Sequence, residues 1–165
     1  MKKILSLVLV VLMAATVSAK QYKHSIGMVA GLGIGAQYKT MFTDHLTLLG
    51  EFGYFMNLDG GTGFGYAGPI ANAVFAYQAK CASGDGIDLS WYAGGQVKLG
   101  YTGYGPDGVG VSGVGGAVGL EANMTNAPIA FSFDFRPGYA FLFTGQGAGG
   151  HMFDYSFNLG VRYTF

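Results

Sequence analysis

A single cysteine, Cys81, stands in the whole chain, so no internal disulfide can hold it together. Charge is equally scarce: Asp, Glu, Lys and Arg make up 11% of the residues, and nine bases face nine acids. Without an excess of either sign there is no broad basic surface to grip nucleic acid. No apolar run is long enough to span a membrane as a helix. The longest, Ile4 to Ala15, covers about twelve residues against the roughly 20 such a helix needs. It follows Lys2 and Lys3 and precedes Val17-Ser18-Ala19, the order of an export signal cleaved after a small residue. Residues 1–19 are therefore expected to be a signal peptide and 20–165 the exported domain. Lys20, and not a cysteine, follows the expected cleavage point, so a lipid anchor there is not expected. Loss of Lys2 and Lys3 leaves the domain slightly acidic.

What the chain does have is glycine (30 residues), aromatic side chains (15%) and a hydrophobic half. These are ordered with period two. Phe153, Tyr155, Phe157, Leu159, Val161, Tyr163 and Phe165 alternate without a break against Asp154, Ser156, Asn158, Gly160, Arg162 and Thr164. Successive side chains of a strand point to opposite faces, so this is a strand with one wholly apolar side. Ile129 to Phe143 repeats the pattern, flawed by Pro137, where the missing donor predicts a bulge or a break in pairing. Leu89 to Tyr101 and Leu46 to Leu58 follow it too, although Leu49 and Phe55 intrude on the polar phase of the latter. Ala71 to Ala79 and Val114 to Ala122 are weaker cases.

The glycines belong to this pattern. "GLGIG" at 31–35 resembles a phosphate-cradling loop, but Gly27, Gly31, Gly33 and Gly35 share one phase while Ile26, Met28, Leu32 and Ile34 share the other. They mark a face. A dinucleotide site would also need a following helix and a downstream acidic ribose ligand, and neither is visible.

Alternation alone also suits a secreted sandwich. Here the apolar phases are highly aromatic and carry no charge, the segments are long at about 10 to 14 residues, and the last strand runs to Phe165. Together these predict an all-β, antiparallel, up-and-down transmembrane barrel with an apolar exterior and a polar lumen. Connections at 43–45, 83–88 and 123–127 read as short turns facing the periplasm; those at 59–69, 103–109 and 144–151 read as longer outer loops. Both termini are then periplasmic. Seven clear segments are visible, near 26–40, 46–58, 70–82, 89–102, 110–123, 129–143 and 152–165. Bacterial barrels favour even numbers, so the first is expected to split into strands near 20–28 and 32–42 around Val29-Ala30-Gly31, with Gly31 left-handed; one uninterrupted strand is the alternative.

Residues 20–165, through their signal, size, alternation and terminal "VRYTF", resemble the small eight-stranded outer-membrane barrels of the OmpX and OmpA transmembrane-domain type. The resemblance implies an outer-membrane location, lipid and lipopolysaccharide as surroundings, and a terminal strand, here with Tyr163 and Phe165, read by the barrel-assembly machinery. It implies no cofactor.

Eight strands enclose a lumen that side chains fill. The polar phases supply Glu51, Glu121, Asp134 and Asp154 against Lys80, Lys98, Arg136 and Arg162, which predicts a balanced network that plugs the barrel. The function expected is a structural or surface-interaction role for a monomer, with a small ion-conducting pore as the alternative. A lipid A-modifying enzyme is a third reading, because some barrels of this size are lipid A acyltransferases and deacylases that use His with Ser and an acid. His24, His45 and His151 are its candidates, and His151 lies near Asp154 and Ser156 in sequence; no local motif of those enzymes is present, and no grouping has metal-ligand spacing. Cys81, on the outward phase, reads as a small apolar residue. Trp91, Tyr101, Tyr139, Tyr163 and Phe165 are candidates for interfacial girdles, and Phe64, Tyr66 and Tyr104 for exposed loop aromatics.

Overall fold

The computed structural model describes residues 22–59, 63–102, 108–144 and 147–165. Eight strands follow one another: β1 His24–Gly31, β2 Gly33–Met41, β3 Leu46–Asp59, β4 Gly63–Gly84, β5 Ile87–Thr102, β6 Val109–Met124, β7 Ile129–Thr144 and β8 Gly147–Thr164. Each pairs antiparallel with the next, and β1 pairs with β8 to close the ring. Closure is by register: Met28 stands opposite Val161 and Ala30 opposite Leu159. A closed ring has no free edge whose backbone groups would need another partner.

The alternation seen in the sequence sorts the side chains across this wall, and the sorting is the reverse of a water-soluble protein's. Among the described residues the buried set contains nineteen polar or charged side chains and thirteen apolar ones. Phe52, Leu99, Leu159 and Tyr163 are each more than half exposed, whereas Arg136, Arg162, Glu121 and Asp154 are almost fully enclosed. Apolar residues that break phase turn inward: Leu49 joins Val74, Ala76, Tyr92 and Ala117, and Phe55 joins Val29, Tyr66, Ile70, Val111 and Ala140.

The first long segment does split, but two residues later than its glycines suggest. Ala30 faces Ile34 across a tip at Gly31-Leu32-Gly33, and Gly31 is not left-handed. The left-handed glycine of a tight turn is Gly86, at φ 89°, between β4 and β5, where only two residues connect the strands. At the end that holds His24 and Phe165, called here the terminal end, the connections are short, as expected. At the opposite end two expected loops are largely strand: β4 begins at Gly63 and β8 at Gly147. Glycine-rich segments read as loops on their own propensity, yet strand pairing overrides it here, with Tyr66 opposite Asn57 and Phe143 opposite Ala148. Connections 60–62, 103–107 and 145–146, with Tyr104, lie outside the described residues, as do residues 1–21, which include the expected signal peptide.

Pro137 does not produce a bulge. It sits opposite Tyr155 in a stretch of the β7–β8 ladder that runs in register from Ile129 to Leu142, while the β6–β7 ladder skips from Gly115–Gly138 to Val118–Phe135 in the same register. The missing donor interrupts one side only. Register shifts fall elsewhere, one of them between Lys80 and Ala82, which makes Cys81 the extra residue of a bulge.

Because β1 and β2 are short, β3 and β8 meet beyond their tip, Leu58 opposite Tyr155 and Asp59 opposite Asp154. The ring is eight strands wide at the terminal end and six beyond the β1–β2 hairpin.

The register of closure can be tested by crosslinking. In a Cys81→Ser background, Met28→Cys with Val161→Cys should oxidise to an intramolecular disulfide, since directly opposed residues lie about 5 Å apart. Met28→Cys with Leu159→Cys, a diagonal pair at roughly 7–8 Å, should not. The gel shift of the oxidised chain reports which pair forms.

Candidate functional site

Inward side chains of a barrel this narrow converge on its axis, and glycine decides how much room they have. A Cβ on Gly119 would stand 2.5 Å from Tyr92 Cζ, and one on Gly113 2.8 Å from Lys98 Cγ. Gly113 and Gly119 therefore leave the space into which Lys98 and Tyr92 fold, whereas a Cβ on Gly27 or Gly31 would first meet the backbone of β8.

Three ionic clusters fill that space. Nearest the terminal end, Glu121 accepts from Lys39 Nζ at 2.7 Å, Gln78 Nε2 at 2.8 Å, Tyr22 Oη at 2.6 Å and the Arg162 guanidinium. Arg162 also donates to Gln37 Oε1 and Ser132 Oγ, both at 3.0 Å. In the second cluster Arg136 grips Glu51 with both terminal nitrogens, at 2.5 and 2.8 Å, and Asp134 at 2.8 Å. Tyr92 Oη and Asn158 Nδ2 complete the Asp134 carboxylate at 2.7 and 2.9 Å. The third is smaller: Lys98 Nζ and Tyr66 Oη both donate to Asp154 Oδ2, at 2.5 and 2.7 Å.

Seven of the eight charges expected in the lumen network belong to these clusters: Glu51, Lys98, Glu121, Asp134, Arg136, Asp154 and Arg162. Lys80 does not. It pairs with Asp88 at 2.6 Å, beside the short β4–β5 turn where Ser83 also donates to Asp88. Its place in the network is taken by Lys39, whose phase, shared with Gln37 and Gly35 and opposite Tyr38, was open to reading from the sequence. The balance of four cations and four anions is kept with this exchange. The tyrosines were less legible. Tyr66 lies where glycine and proline suggest a loop, and Tyr22 precedes the first strand. Burial beside Glu121 pushes the Tyr22 phenol well above its ordinary pKa, so it remains a donor.

Among the described residues, small voids lie between and beside the clusters. Two voids are lined by their side chains, one by Lys39, Leu49, Tyr92 and Arg162, the other by Asn57, Gln96, Lys98 and Asn158. Each gives about 10 Å³ to the centre of a water molecule, room for about one. The inner apolar cluster around Phe55 and Ile70 adds a dry layer.

The histidines lie outside this interior. His151 is exposed in the same phase as Phe153, while Asp154 faces inward to Lys98, so the structure does not bring them together. Ser156 Oγ is approached by Asn158. His24 Nδ1 meets Tyr38 Oη at 2.9 Å with its ring against Phe165, and His45 stacks on Tyr77, which neighbours Trp91. Tyr163 and Phe165 are exposed side by side on the outer surface. Cys81 reaches the Leu89 carbonyl. Among the described residues no three His, Cys, Asp or Glu side chains converge as a metal site would require.

Matched charges in a narrow interior make removal of one partner costly. Arg136→Met leaves Glu51 and Asp134 buried without their cation and should lower stability by about 3–5 kcal/mol. Lys80→Met should cost less than Arg136→Met, because it deprives one carboxylate of its cation and that carboxylate, Asp88, is the less enclosed. Urea unfolding of the refolded barrel, followed by Trp91 fluorescence, measures both.

No protein-family model matches the chain, and no curated protein resembles it significantly in sequence. The geometry carries the functional argument.

Proposed function

We propose that the chain is an exported outer-membrane barrel of the small eight-stranded kind, whose filled interior makes it a structural or surface-interaction protein and not a channel. One observation carries this reading: the wall is apolar outside and ionic inside. A water-soluble barrel would present the Phe131, Phe133, Phe141 and Phe157 side of its wall to solvent, an apolar surface far larger than soluble monomers expose. Hydrocarbon reverses that cost. It also requires the backbone polar groups of the wall to be paired within the protein, which ring closure supplies over most of its length.

The distribution of rings agrees. Near the terminal end His24, Tyr38, Tyr77, Trp91, Tyr163 and Phe165 surround the barrel; towards the other, Tyr54, Tyr101, Tyr139, Phe143 and Phe153 do so. Between them the exposed side chains are aliphatic or phenylalanine, among them Val97, Val118, Leu159, Phe133 and Phe157, so the rings that carry a polar atom gather towards the two ends, as at the two headgroup levels of a bilayer. In this reading the short turns and both termini lie in the periplasm, and lipid and lipopolysaccharide surround the wall. The exposed Tyr163 and Phe165 of β8 are then free to be read by the assembly machinery before the barrel closes.

The lumen supports the plug over the pore. Ions crossing it would have to part Arg136 from two carboxylates and pass the apolar layer at Phe55 and Ile70. Bilayer recordings of the purified protein should show no reproducible ion-selective unitary steps; steps abolished by changing Lys98 or Arg136 would establish the pore instead. The membrane assignment has its own test. In vesicles Phe133→Lys, on the outer face, should cost about 2–4 kcal/mol near mid-bilayer. Ser132→Lys, one residue earlier, enters the lumen beside Arg162 and should destabilise equally in vesicles and in detergent micelles. A Phe133→Lys cost that is negligible in vesicles would contradict the membrane assignment.

A further inference from the structure

Besides the two pairs skipped between β6 and β7 at Pro137, the wall is interrupted where β1 and β2 end. The β1–β8 ladder ends at Gly31–Asn158, the β2–β3 ladder at Gly33–Phe55, and β3 meets β8 only at Leu58–Tyr155. Among the described residues, Ser156 and Phe157 of β8 have no strand partner on that side. On β3 the amide of Met56 is taken up by the carbonyl of Leu32 at the hairpin tip. Behind this seam lies the second of the two voids, lined by Asn57, Asn72, Gln96, Lys98, Ser156 and Asn158. Met56, which faces outward, lines it too, so the void reaches into the wall itself.

Gln96 Nε2 is a donor with no partner, on a side chain that is only 5% exposed. The carboxylate that holds Lys98 likewise leaves Asp154 Oδ1 without one. An orphaned buried donor costs roughly 1–3 kcal/mol, and such groups in folded proteins are satisfied by ordered water when protein does not reach them. We infer that the seam between the β1–β2 tip, β3 and β8 is a binding site for one water molecule, held by Gln96 and the amide and hydroxyl groups around it.

Size and charge select the occupant. The void gives about 10 Å³ to the centre of a water, the threshold for a single molecule. Lys98 is already neutralised by Asp154 at 2.5 Å, so an added ion of either sign would sit uncompensated in an enclosed space. A neutral ligand that both donates and accepts meets the orphaned Gln96 donor and the amide and hydroxyl groups of Asn57, Asn72, Ser156 and Asn158 that line the void. The site depends on the fold and not on membrane insertion, so it survives failure of the proposed function.

The test is a crystal structure of the unaltered barrel grown with sodium bromide as its salt, joined to a count of long-lived waters by oxygen-17 relaxation dispersion. Density at the seam without anomalous signal, and loss of one long-lived water in Gln96→Leu, is the expected result. An anomalous bromide peak would make it an anion site, and an empty void would make the seam dry; either overturns the inference. An unchanged water count in a folded Gln96→Leu does so as well, and should that variant not fold, the crystal of the unaltered chain still decides.

Discussion

The structure depends on the neutrality of an enclosed polar interior. Arg136 can lie within this barrel only because Glu51 and Asp134 meet it on two sides, and those carboxylates can be buried only because it is there. The same mutual requirement joins Glu121 to Lys39 and Arg162, and Asp154 to Lys98. Each cluster links strands that are not neighbours in the wall: Arg136 of β7 reaches Glu51 of β3, and Lys98 of β5 reaches Asp154 of β8. Backbone ladders fix each strand to the next, and the ionic clusters fix the ring across its diameter. Such a network specifies one register, because a slip of a single residue would turn the inward charges of the slipped strand outward.

This explains why glycine is so abundant and where it lies. A long inward side chain needs a small residue opposite it on the neighbouring strand, since two large residues cannot share one level of so narrow a ring. Gly113 beneath Lys98 and Gly119 beneath Tyr92 show the arrangement directly. The outer face has no such restriction, and there the aromatic residues collect, as in the contacts of Phe135 with Tyr155 and Phe157.

Much of this was legible in sequence because period two is the signature of a half-buried strand. The unbroken alternation of 153–165 is β8, and the phases of Asp134, Arg136, Asp154 and Arg162 gave their side of the wall correctly. What failed was local. Propensity marked 63–69 as a loop, but the ladder to β3 and the burial of Tyr66 on Asp154 carry the strand through it. The tip of the first hairpin was displaced by two residues because several glycines compete there and φ cannot be read from composition. Lys80 was misassigned for a geometric reason: its phase is correct, but its height beside a two-residue turn brings Asp88 closer than any axial carboxylate. Pairings between distant strands, such as Arg136 with Glu51, are set by tilt and stagger and leave no trace in spacing.

The central claim is that one face of the wall lies in hydrocarbon and the other encloses a packed polar interior. Position-specific quenching by brominated lipid tests it most directly. In a Trp91→Phe background, Phe133→Trp should be strongly quenched in vesicles of lipids brominated near mid-chain, and Tyr92→Trp, on the inner face, should not. Equal quenching of the two, or none at position 133, would contradict the account.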